Sequence, residues 1–168
     1  MDIKLILKNI IKTEKSLDVS GLSLNTKTLN KGDVFVALQG EKNHGIEFIE
    51  DAIAQGCIAV LVDGKDFDCK VPSIRVDNLK ANLSTLAQNF YTSAKNLDLI
   101  AVTGTNGKTS VSHYISQLLD FLEVDNGVIG TLGMSKTQNK SINTTPDIFS
   151  IYSTLEEYSS NKVNIAVI

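Results

Sequence analysis

The sequence predicts an α/β fold in which a small amino-terminal domain is followed by the first part of a doubly wound parallel sheet. Two observations lead to this prediction. Short apolar runs alternate with segments whose apolar residues recur at helical spacing, and this order is typical of strand–helix–strand units. In addition, a glycine-rich segment, GTNGK at residues 104–108, stands between an apolar run and an amphipathic segment, where a strand would pass into a helix.

The first part of the chain contains the elements of a small sheet. Helices are predicted at residues 3–11, 46–56 and 79–94, and strands at 22–26, 34–38, 57–64 and 72–78. Lys31-Gly32-Asp33 forms the turn between the first two strands, and Gly56 ends the second helix. The polar, turn-prone SAKN segment after the third helix places a domain boundary near residues 94–97, which gives domains at 1–95 and 96–168.

The second part reads as the start of a doubly wound sheet. Strands are predicted at residues 97–103, 126–133 and 163–168, a loop at 104–108, and helices at 109–122 and 144–160. A parallel sheet that stops at its third strand leaves an open edge. We therefore expect this chain to be the front part of a longer protein, with an incomplete second domain.

Composition and charge fit a soluble globular chain. Hydrophobic residues are 42% and charged residues 21% of the 168 residues, and the formal net charge is -3 without a basic run, so a nucleic-acid partner is not expected. Cys57 and Cys69 form no disulfide framework and no zinc motif. Charges interrupt the apolar start, and no run approaches the ~18 apolar residues of a membrane span. We expect a cytoplasmic monomer that does not insert into a membrane.

The glycine-rich segment has the residue types that a phosphate cradle needs. Gly104 and Gly107 would let the backbone approach phosphates, Lys108 would contact their oxygens, and the Thr109 hydroxyl would face Mg²⁺. The position that should open the usual G-x-x-x-x-G-K-[ST] pattern is Val102. The alternative is a glycine-capped turn before a helix. The residues predicted to bind ATP are Gly104, Thr105, Asn106, Gly107, Lys108, Thr109 and Ser110.

Three segments resemble the Mur ligase superfamily. TGTNGKTS at 103–110 resembles the ATP loop of Mur ligases and of folylpolyglutamate synthetases, a loop that lacks the opening glycine. Residues 24–64 resemble the amino-terminal domain of the ligases that add the third residue and the terminal dipeptide to the peptidoglycan stem. GVIGTLG followed by NTTPD at 143–147 is similar to the muramyl-dipeptide-binding segment of the diamino-acid-adding branch, the MurE type. The second segment keeps Gly32, Asp33, Phe35, Ala37, Gly40, Gly45 and Phe48.

This resemblance implies an ATP-dependent, Mg²⁺-dependent ligase of peptidoglycan precursor synthesis. ATP would phosphorylate the D-glutamyl carboxylate of UDP-N-acetylmuramoyl-L-Ala-D-Glu, and the amine of a diamino acid, diaminopimelate or lysine, would displace phosphate. Lys108 would be catalytic and Thr109 would contact the metal, because the transferring phosphoryl group needs its charge neutralised. The resemblance also implies substrate contacts, to uridine at Leu24, Thr26, Glu41, Lys42 and Asn43, and to the muramyl dipeptide at Asn143, Thr144 and Thr145.

Some features depart from the family pattern or allow another interpretation. Asn25-Thr26-Lys27 replaces a Asp-Ser-Arg triplet, and Lys27 lacks the planar fork of arginine. NTTPD could instead be a helix start with Thr145 as N-cap. Other hypotheses are a different Mur-superfamily ligase, such as the dipeptide-adding type, or a non-catalytic UDP-sugar or ATP-binding module. Because the superfamily's metal-binding glutamate and histidine and its modified lysine follow later in the chain, we expect the 168 residues alone to be inactive.

Overall fold

The computed structural model describes residues 1–40, 44–64, 67–135 and 146–168. Within it the chain divides into two compact units, Met1–Phe90 and Tyr91–Ile168. Each unit contains a sheet of mainly parallel strands with helices between them, so the predicted α/β class is confirmed.

Unit 1 is a four-stranded parallel sheet whose spatial order follows the sequence. Its strands are β1 (Gly21–Ser23), β2 (Asp33–Ala37), β3 (Ala59–Asp63) and β4 (Ser73–Val76). Its α-helices are α1 (Ile3–Ile6), α2 (Ile49–Ala54) and α3 (Leu79–Phe90), and short 3₁₀ helices cover Thr26–Thr28 and Gly45–Phe48. The order β1-β2-β3-β4 is parallel throughout. Every sheet neighbour in this unit is therefore also the next strand along the chain.

The core of unit 1 lies around its two central strands. All five residues of β2 are buried, as are the first four of β3, and near-continuous apolar strands of this kind are typical of sheets covered on both faces. On one face, Phe35 and Val60 pack with Ile49 of α2. Asn89 near the end of α3 donates hydrogen bonds of 2.9 Å to the carbonyls of Ile6 and Lys8, which ties α3 to the amino-terminal segment.

Unit 2 is a sheet in which the last strand lies between two earlier ones. Its elements are β5 (Asp98–Ile100), α4 (Lys108–Phe121), β6 (Asn126–Gly130), β7 (Gly133–Met134), α5 (Ile148–Ser160) and β8 (Ile165–Val167). The order is β5-β8-β6-β7; β8 is parallel to both β5 and β6, and β7 is antiparallel to β6. The carboxyl ends of β5 and β6 consequently lie at the same edge of the sheet, where α4 begins.

Helix α4 contacts the sheet through polar side chains as well as apolar ones. Asn126 at the start of β6 is buried, and its amide donates to Asp120 Oδ1 at 2.8 Å and to the carbonyls of Ser116 and Val124. The Ser116 hydroxyl donates back to Asn126 Oδ1. The apolar side chains of this amphipathic helix are only partly buried, since Val111, Leu118 and Leu122 are exposed.

Several predicted element boundaries are wrong, and local backbone geometry explains them. The first helix ends at Ile6 rather than near residue 11 because Asn9 adopts a left-handed conformation with φ 67°. The first strand ends at Ser23, since the side chain of Asn25 caps a 3₁₀ helix by accepting the Lys27 N–H at 3.0 Å. Thr26 therefore lies in that helix and not in a strand.

Other boundaries shift where a single predicted element divides or stops early. The predicted helix 46–56 is a 3₁₀ segment followed by α2. The helix predicted to reach residue 94 stops at Phe90, before a further 3₁₀ segment at Thr92–Asn96. The predicted strand 126–133 ends at Gly130 and turns into β7. Among the described residues, the helices are too short or too polar to cross a bilayer.

Candidate functional site

The strand–loop–helix junction between β5 and α4 contains the glycine-rich segment. Val102 lies two residues after β5 and its backbone is bonded to the residue that follows β8: its N–H donates to the Ile168 carbonyl at 2.6 Å, and the Ile168 N–H donates to the Ile100 carbonyl. The loop proper begins only after it, at Gly104. The opening position of the generic pattern is thus occupied by a half-buried residue whose backbone is bonded to Ile168.

Two glycines give the loop its shape. Gly104 has φ 152° and Gly107 has φ 78°, conformations that favour glycine because a side chain would clash with the backbone. Gly107 is the N-cap of α4, and no side chain caps this helix. The first N–H groups of a helix have no intrahelical acceptor, and residues 104–108 are exposed. The amino end of α4 therefore offers backbone donors, and the positive end of the helix dipole, to an anion.

Lys108 places a positive charge over the same loop. Its Nζ donates a 2.5 Å hydrogen bond to the carbonyl of Gly104, four residues earlier. The side chain is exposed, and the first turn of α4 contains no acidic residue that would neutralise it. An ammonium group and free N–H groups on one loop are the donor set that phosphate oxygens require.

A pair of hydroxyls stands beside this lysine. Thr109 Oγ1 and Thr131 Oγ1 are 2.7 Å apart, so one donates a hydrogen bond to the other. Thr109 lies in the first turn of α4, and Thr131 directly follows β6. A hydroxyl oxygen is a hard ligand of the kind that Mg²⁺ accepts alongside nucleotide phosphates. The residues present therefore fit a magnesium nucleotide.

A buried tyrosine, Tyr158, bonds to the backbone on both sides of the turn that contains Thr131. Tyr158 Oη lies 3.0 Å from the Val128 carbonyl and 2.6 Å from the Ser135 carbonyl. Two more hydrogen bonds join Ser135 to Val128. The Ser135 hydroxyl accepts the Val128 N–H at 2.8 Å, and the Ser135 N–H donates to the Val128 carbonyl at 2.9 Å. Burial raises the pKa of Tyr158 to about 12, so the phenol keeps its proton and remains a donor.

Sequence reasoning did not select Thr131, Ser135 or Tyr158. The predicted strand ran through residue 133, which would have placed Thr131 inside a strand. The available signal was a hydroxyl between two glycines, Gly130 and Gly133, at the end of a buried run. Glycines on both sides of a two-residue segment are typical of a turn.

The predicted site residues fall into three groups. The predicted ATP-binding residues lie on the loop or the first turn of α4. Thr109 is half-buried and the others are exposed: Gly104, Thr105, Asn106, Gly107, Lys108 and Ser110. Leu24 and Thr26 lie in unit 1 just after β1, each half-buried. The remaining predicted residues lie outside the described residues. They are Glu41, Lys42, Asn43, Asn143, Thr144 and Thr145.

The segment around Leu24 and Thr26 is fixed by its own side chains. Ser23 Oγ donates to the Asn25 carbonyl at 2.9 Å and accepts the Asn25 N–H at 3.2 Å. Thr28 Oγ1 donates to the same carbonyl at 3.1 Å. These bonds hold a compact turn at the carboxyl end of β1, the edge at which parallel α/β sheets bind ligands.

Two residues near the predicted contacts have structural roles. His44 Nδ1 accepts the Ile46 N–H at 3.1 Å, while Glu47 Oε1 accepts the His44 N–H at 3.1 Å, which forms a capping box. Helix α5 is capped by Asp147, which accepts from Phe149 and Ser150 at 2.9 and 3.1 Å. The alternative in which Thr145 is the N-cap is therefore wrong, because α5 begins at Ile148, directly after the carboxylate that caps it.

Fold and loop together define a class: doubly wound α/β proteins with a glycine-rich loop between a parallel strand and a helix. Comparison with known families gives the family within this class. Residues 18–91 match the Mur ligase family, catalytic domain, and residues 102–168 match the Mur ligase middle domain. The chain belongs to the Mur ligase family.

Curated relatives agree on one branch of the family. The chain is 34% identical, over 99% of its length, to UDP-N-acetylmuramoyl-L-alanyl-D-glutamate--2,6-diaminopimelate ligase 2 of Clostridium acetobutylicum, and it covers 37% of that protein. It is 38% identical over 86% of its length to the corresponding ligase of Pseudomonas aeruginosa, of which it covers 31%. The chain thus spans about a third of the length of the curated relatives that it matches.

Solved structures show the same fold. A UDP-N-acetylmuramoyl-L-alanyl-D-glutamate--2,6-diaminopimelate ligase superposes with a TM-score of 0.76 at 24% identity, covering 99% of this chain and 35% of that one. The MurF ligase of Thermotoga maritima, solved in complex with ADP, superposes with a TM-score of 0.56 at 26% identity, covering 91% of this chain and 32% of that one.

Proposed function

We propose that this chain forms the amino-terminal and early central part of a ligase in peptidoglycan precursor synthesis. The ligase joins a diamino acid, diaminopimelate or lysine, to UDP-N-acetylmuramoyl-L-Ala-D-Glu in the cytoplasm, as a monomer, with consumption of ATP. The relatives at 34% and 38% identity carry the name of this reaction for diaminopimelate. Since the chain spans about a third of their length, the reaction is proposed for a polypeptide that also supplies the remaining parts.

One observation carries the ATP half of this proposal: the amino end of α4 has a left-handed Gly107 as N-cap, no side-chain cap, and Lys108 and Thr109 in its first turn. This arrangement suits the β- and γ-phosphates, because the backbone donors are free and the lysine has only a loop carbonyl to exchange for a phosphate oxygen. The solved relative with ADP supports a nucleotide ligand.

The chemistry accounts for the residue types. The D-glutamyl carboxylate oxygen attacks the γ-phosphorus of ATP, the bond between that phosphorus and the β,γ-bridging oxygen breaks, and an acyl phosphate and ADP form. The amine then attacks the acyl carbon, inorganic phosphate leaves, and the nitrogen loses a proton to give the amide. Two anions meet in the first step, so Lys108 would lower the barrier by neutralising the transferring group, and Thr109 would hold Mg²⁺, which would supply further positive charge there.

We propose that the two parts of the chain bind different parts of the substrates. Residues 1–95 form a UDP-sugar-binding domain, with Leu24, Thr26 and residues 41–43 around the uridine. Residues 96–168 begin the central ATP-binding domain, with residues 143–145 near the muramyl dipeptide. The compact turn at the carboxyl end of β1 supports the first assignment, because a preorganised turn loses little entropy on binding.

Titration calorimetry of the 168-residue chain tests the proposal. We expect separate binding of Mg-ATP and of UDP-N-acetylmuramoyl-L-Ala-D-Glu. Lys108→Ala should weaken Mg-ATP binding by about 10- to 100-fold, the usual worth of a charged hydrogen bond, and leave the muramyl-dipeptide affinity unchanged. Lys95→Ala is the matched control, since Lys95 is also an exposed lysine of unit 2.

A second measurement tests the reaction itself. The chain is joined to the remaining part of the Pseudomonas aeruginosa relative in place of the corresponding residues, and amide product is measured with ATP, the muramyl dipeptide and diaminopimelate. Turnover that disappears with Lys108→Ala supports the proposal. Binding of the muramyl dipeptide without any Mg-ATP binding would instead indicate a sugar-nucleotide module.

A further inference from the structure

The Thr131 hydroxyl lies beside the glycine-rich loop, and the proposed function gives it no role. Its hydroxyl lies 2.7 Å from that of Thr109, although the two residues are on different elements. Each hydroxyl carries a single hydrogen and two lone pairs. Within this pair, one oxygen must therefore accept the hydrogen of the other.

A bound cation decides which of the two donates. When Thr109 Oγ1 contacts Mg²⁺ through a lone pair, the positive charge repels the hydroxyl hydrogen, which must point away from the metal. Thr131 Oγ1 stands at hydrogen-bonding distance to receive it. We propose that Thr131 is a positioning residue for the Mg²⁺ of the bound nucleotide: it accepts the Thr109 hydroxyl hydrogen and thereby turns a Thr109 lone pair toward the metal.

The surroundings of Thr131 favour this role because they fix its backbone. Gly130 pairs with Gly133 across the β6–β7 hairpin, so Thr131 occupies the first position of a two-residue connection. Ser135 and Val128 exchange two hydrogen bonds behind it. An acceptor on a closed hairpin keeps its place when the metal arrives, and groups that orient a metal ligand in this way typically change metal affinity about 10- to 100-fold when removed.

The inference rests on the proposed ATP site, and the experiment separates the two. ATP binding to the 168-residue chain is measured by calorimetry with excess Mg²⁺ and again with EDTA. In Thr131→Val, which keeps the shape and removes the hydroxyl, we expect about tenfold weaker Mg-ATP binding and unchanged binding of metal-free ATP. Thr131→Ser, which restores a hydroxyl, should recover most of the loss.

Thr92→Val changes another exposed threonine of unit 2 and should leave both affinities unchanged, and thermal unfolding of each variant checks that it folds. Equal Mg-ATP affinity in Thr131→Val and the unsubstituted chain overturns the inference while the proposed function stands. An equal loss with and without Mg²⁺ also overturns it, because Thr131 would then contact phosphate. If the unsubstituted chain binds no Mg-ATP, both proposals fail.

Discussion

The ring of Tyr158 lies directly against the backbone of Gly127, so closely that a Cβ atom on residue 127 would stand 2.5 Å from the ring carbon Cε2 and 2.9 Å from Oη. This contact brings α5 onto β6 in the interior of unit 2, where both residues are buried. It also places the phenol oxygen between the carbonyls of Val128 and Ser135. The position of the Tyr158 ring therefore requires a residue without a side chain at position 127.

Substitution of the glycine should displace the ring. Gly127→Ala forces the added methyl group into Tyr158, and overpacking of this kind destabilises a core by about 1–3 kcal/mol. The measurement is the free energy of unfolding from urea denaturation. Gly130→Ala is the control, since a Cβ there meets nothing within 4 Å. Equal effects of the two substitutions would contradict the packing argument.

Removal of the phenol hydroxyl should cost stability at neutral pH and change the alkaline response. Tyr158→Phe removes the hydroxyl that donates to the Ser135 carbonyl, while the Val128 carbonyl keeps the Ser135 N–H, and we expect a loss of about 1–3 kcal/mol. The folded pKa of Tyr158 is about 12, above its usual 10.0. The tyrosine's stabilisation is therefore complete below pH 10 and is lost as the pH rises toward 12. The difference in unfolding free energy between the two proteins should shrink over that window; a constant difference would refute it.

Asp33 should make the free energy of unfolding depend on pH in the acidic range. This carboxyl at the start of β2 is buried, and burial raises its pKa above the usual 3.8, although the Asn30 N–H bonded to it at 2.8 Å acts in the opposite direction. Because the folded state holds the proton more tightly, ionisation costs the fold stability as the pH rises above 3.8.

Asp33→Asn removes this cost and keeps an oxygen for the Asn30 N–H. Relative to the unsubstituted chain, the variant should gain stability as the pH increases from 3.5 toward neutrality, and then keep a constant difference. Urea unfolding at a series of pH values provides the measurement. A relative loss of stability over the same range would mean that the hydrogen bond outweighs burial.

Val102→Gly tests the unusual opening of the loop. The substitution restores the generic phosphate-loop pattern, but the backbone at this position is bonded to Ile168 just after β5. We expect a loss of about 1–2 kcal/mol, from the missing half-buried side chain and the greater freedom of glycine in the unfolded chain, and no gain in Mg-ATP affinity. Tighter binding at unchanged stability would show that residue 102 belongs to the loop.

The parts of the site that sequence reasoning placed correctly depend on short-range patterns. An apolar run, two glycines, a lysine and an amphipathic segment follow each other within residues 97–122, so the junction of β5, loop and α4 could be predicted from neighbouring residues alone. The same holds for the buried strands β2 and β3, whose apolar runs are continuous. The sequence pattern was therefore sufficient to predict an element wherever the residues that define it are neighbours in the sequence.

The missed features depend on partners far away in the sequence. Thr131 faces Thr109 only because β6 stops at Gly130, and that turn is closed by Ser135 and by Tyr158 from α5. Nothing in the periodicity of residues 126–133 shows these contacts. The predicted length of the first helix was wrong because of a local pattern. The apolar residues keep helical spacing past Asn9, but the left-handed backbone of Asn9 does not allow the helix to continue.

The position of β8 in unit 2 has a consequence for the order of events during protein synthesis. In unit 1 each strand pairs with the one made just before it, so that sheet can grow as the polypeptide leaves the ribosome. In unit 2, β5 and β6 are both made early, yet each pairs with β8. The glycine-rich loop thus leaves the ribosome before β8, and we expect β5 and β6 to be joined into one sheet only after Ile165–Val167 has followed.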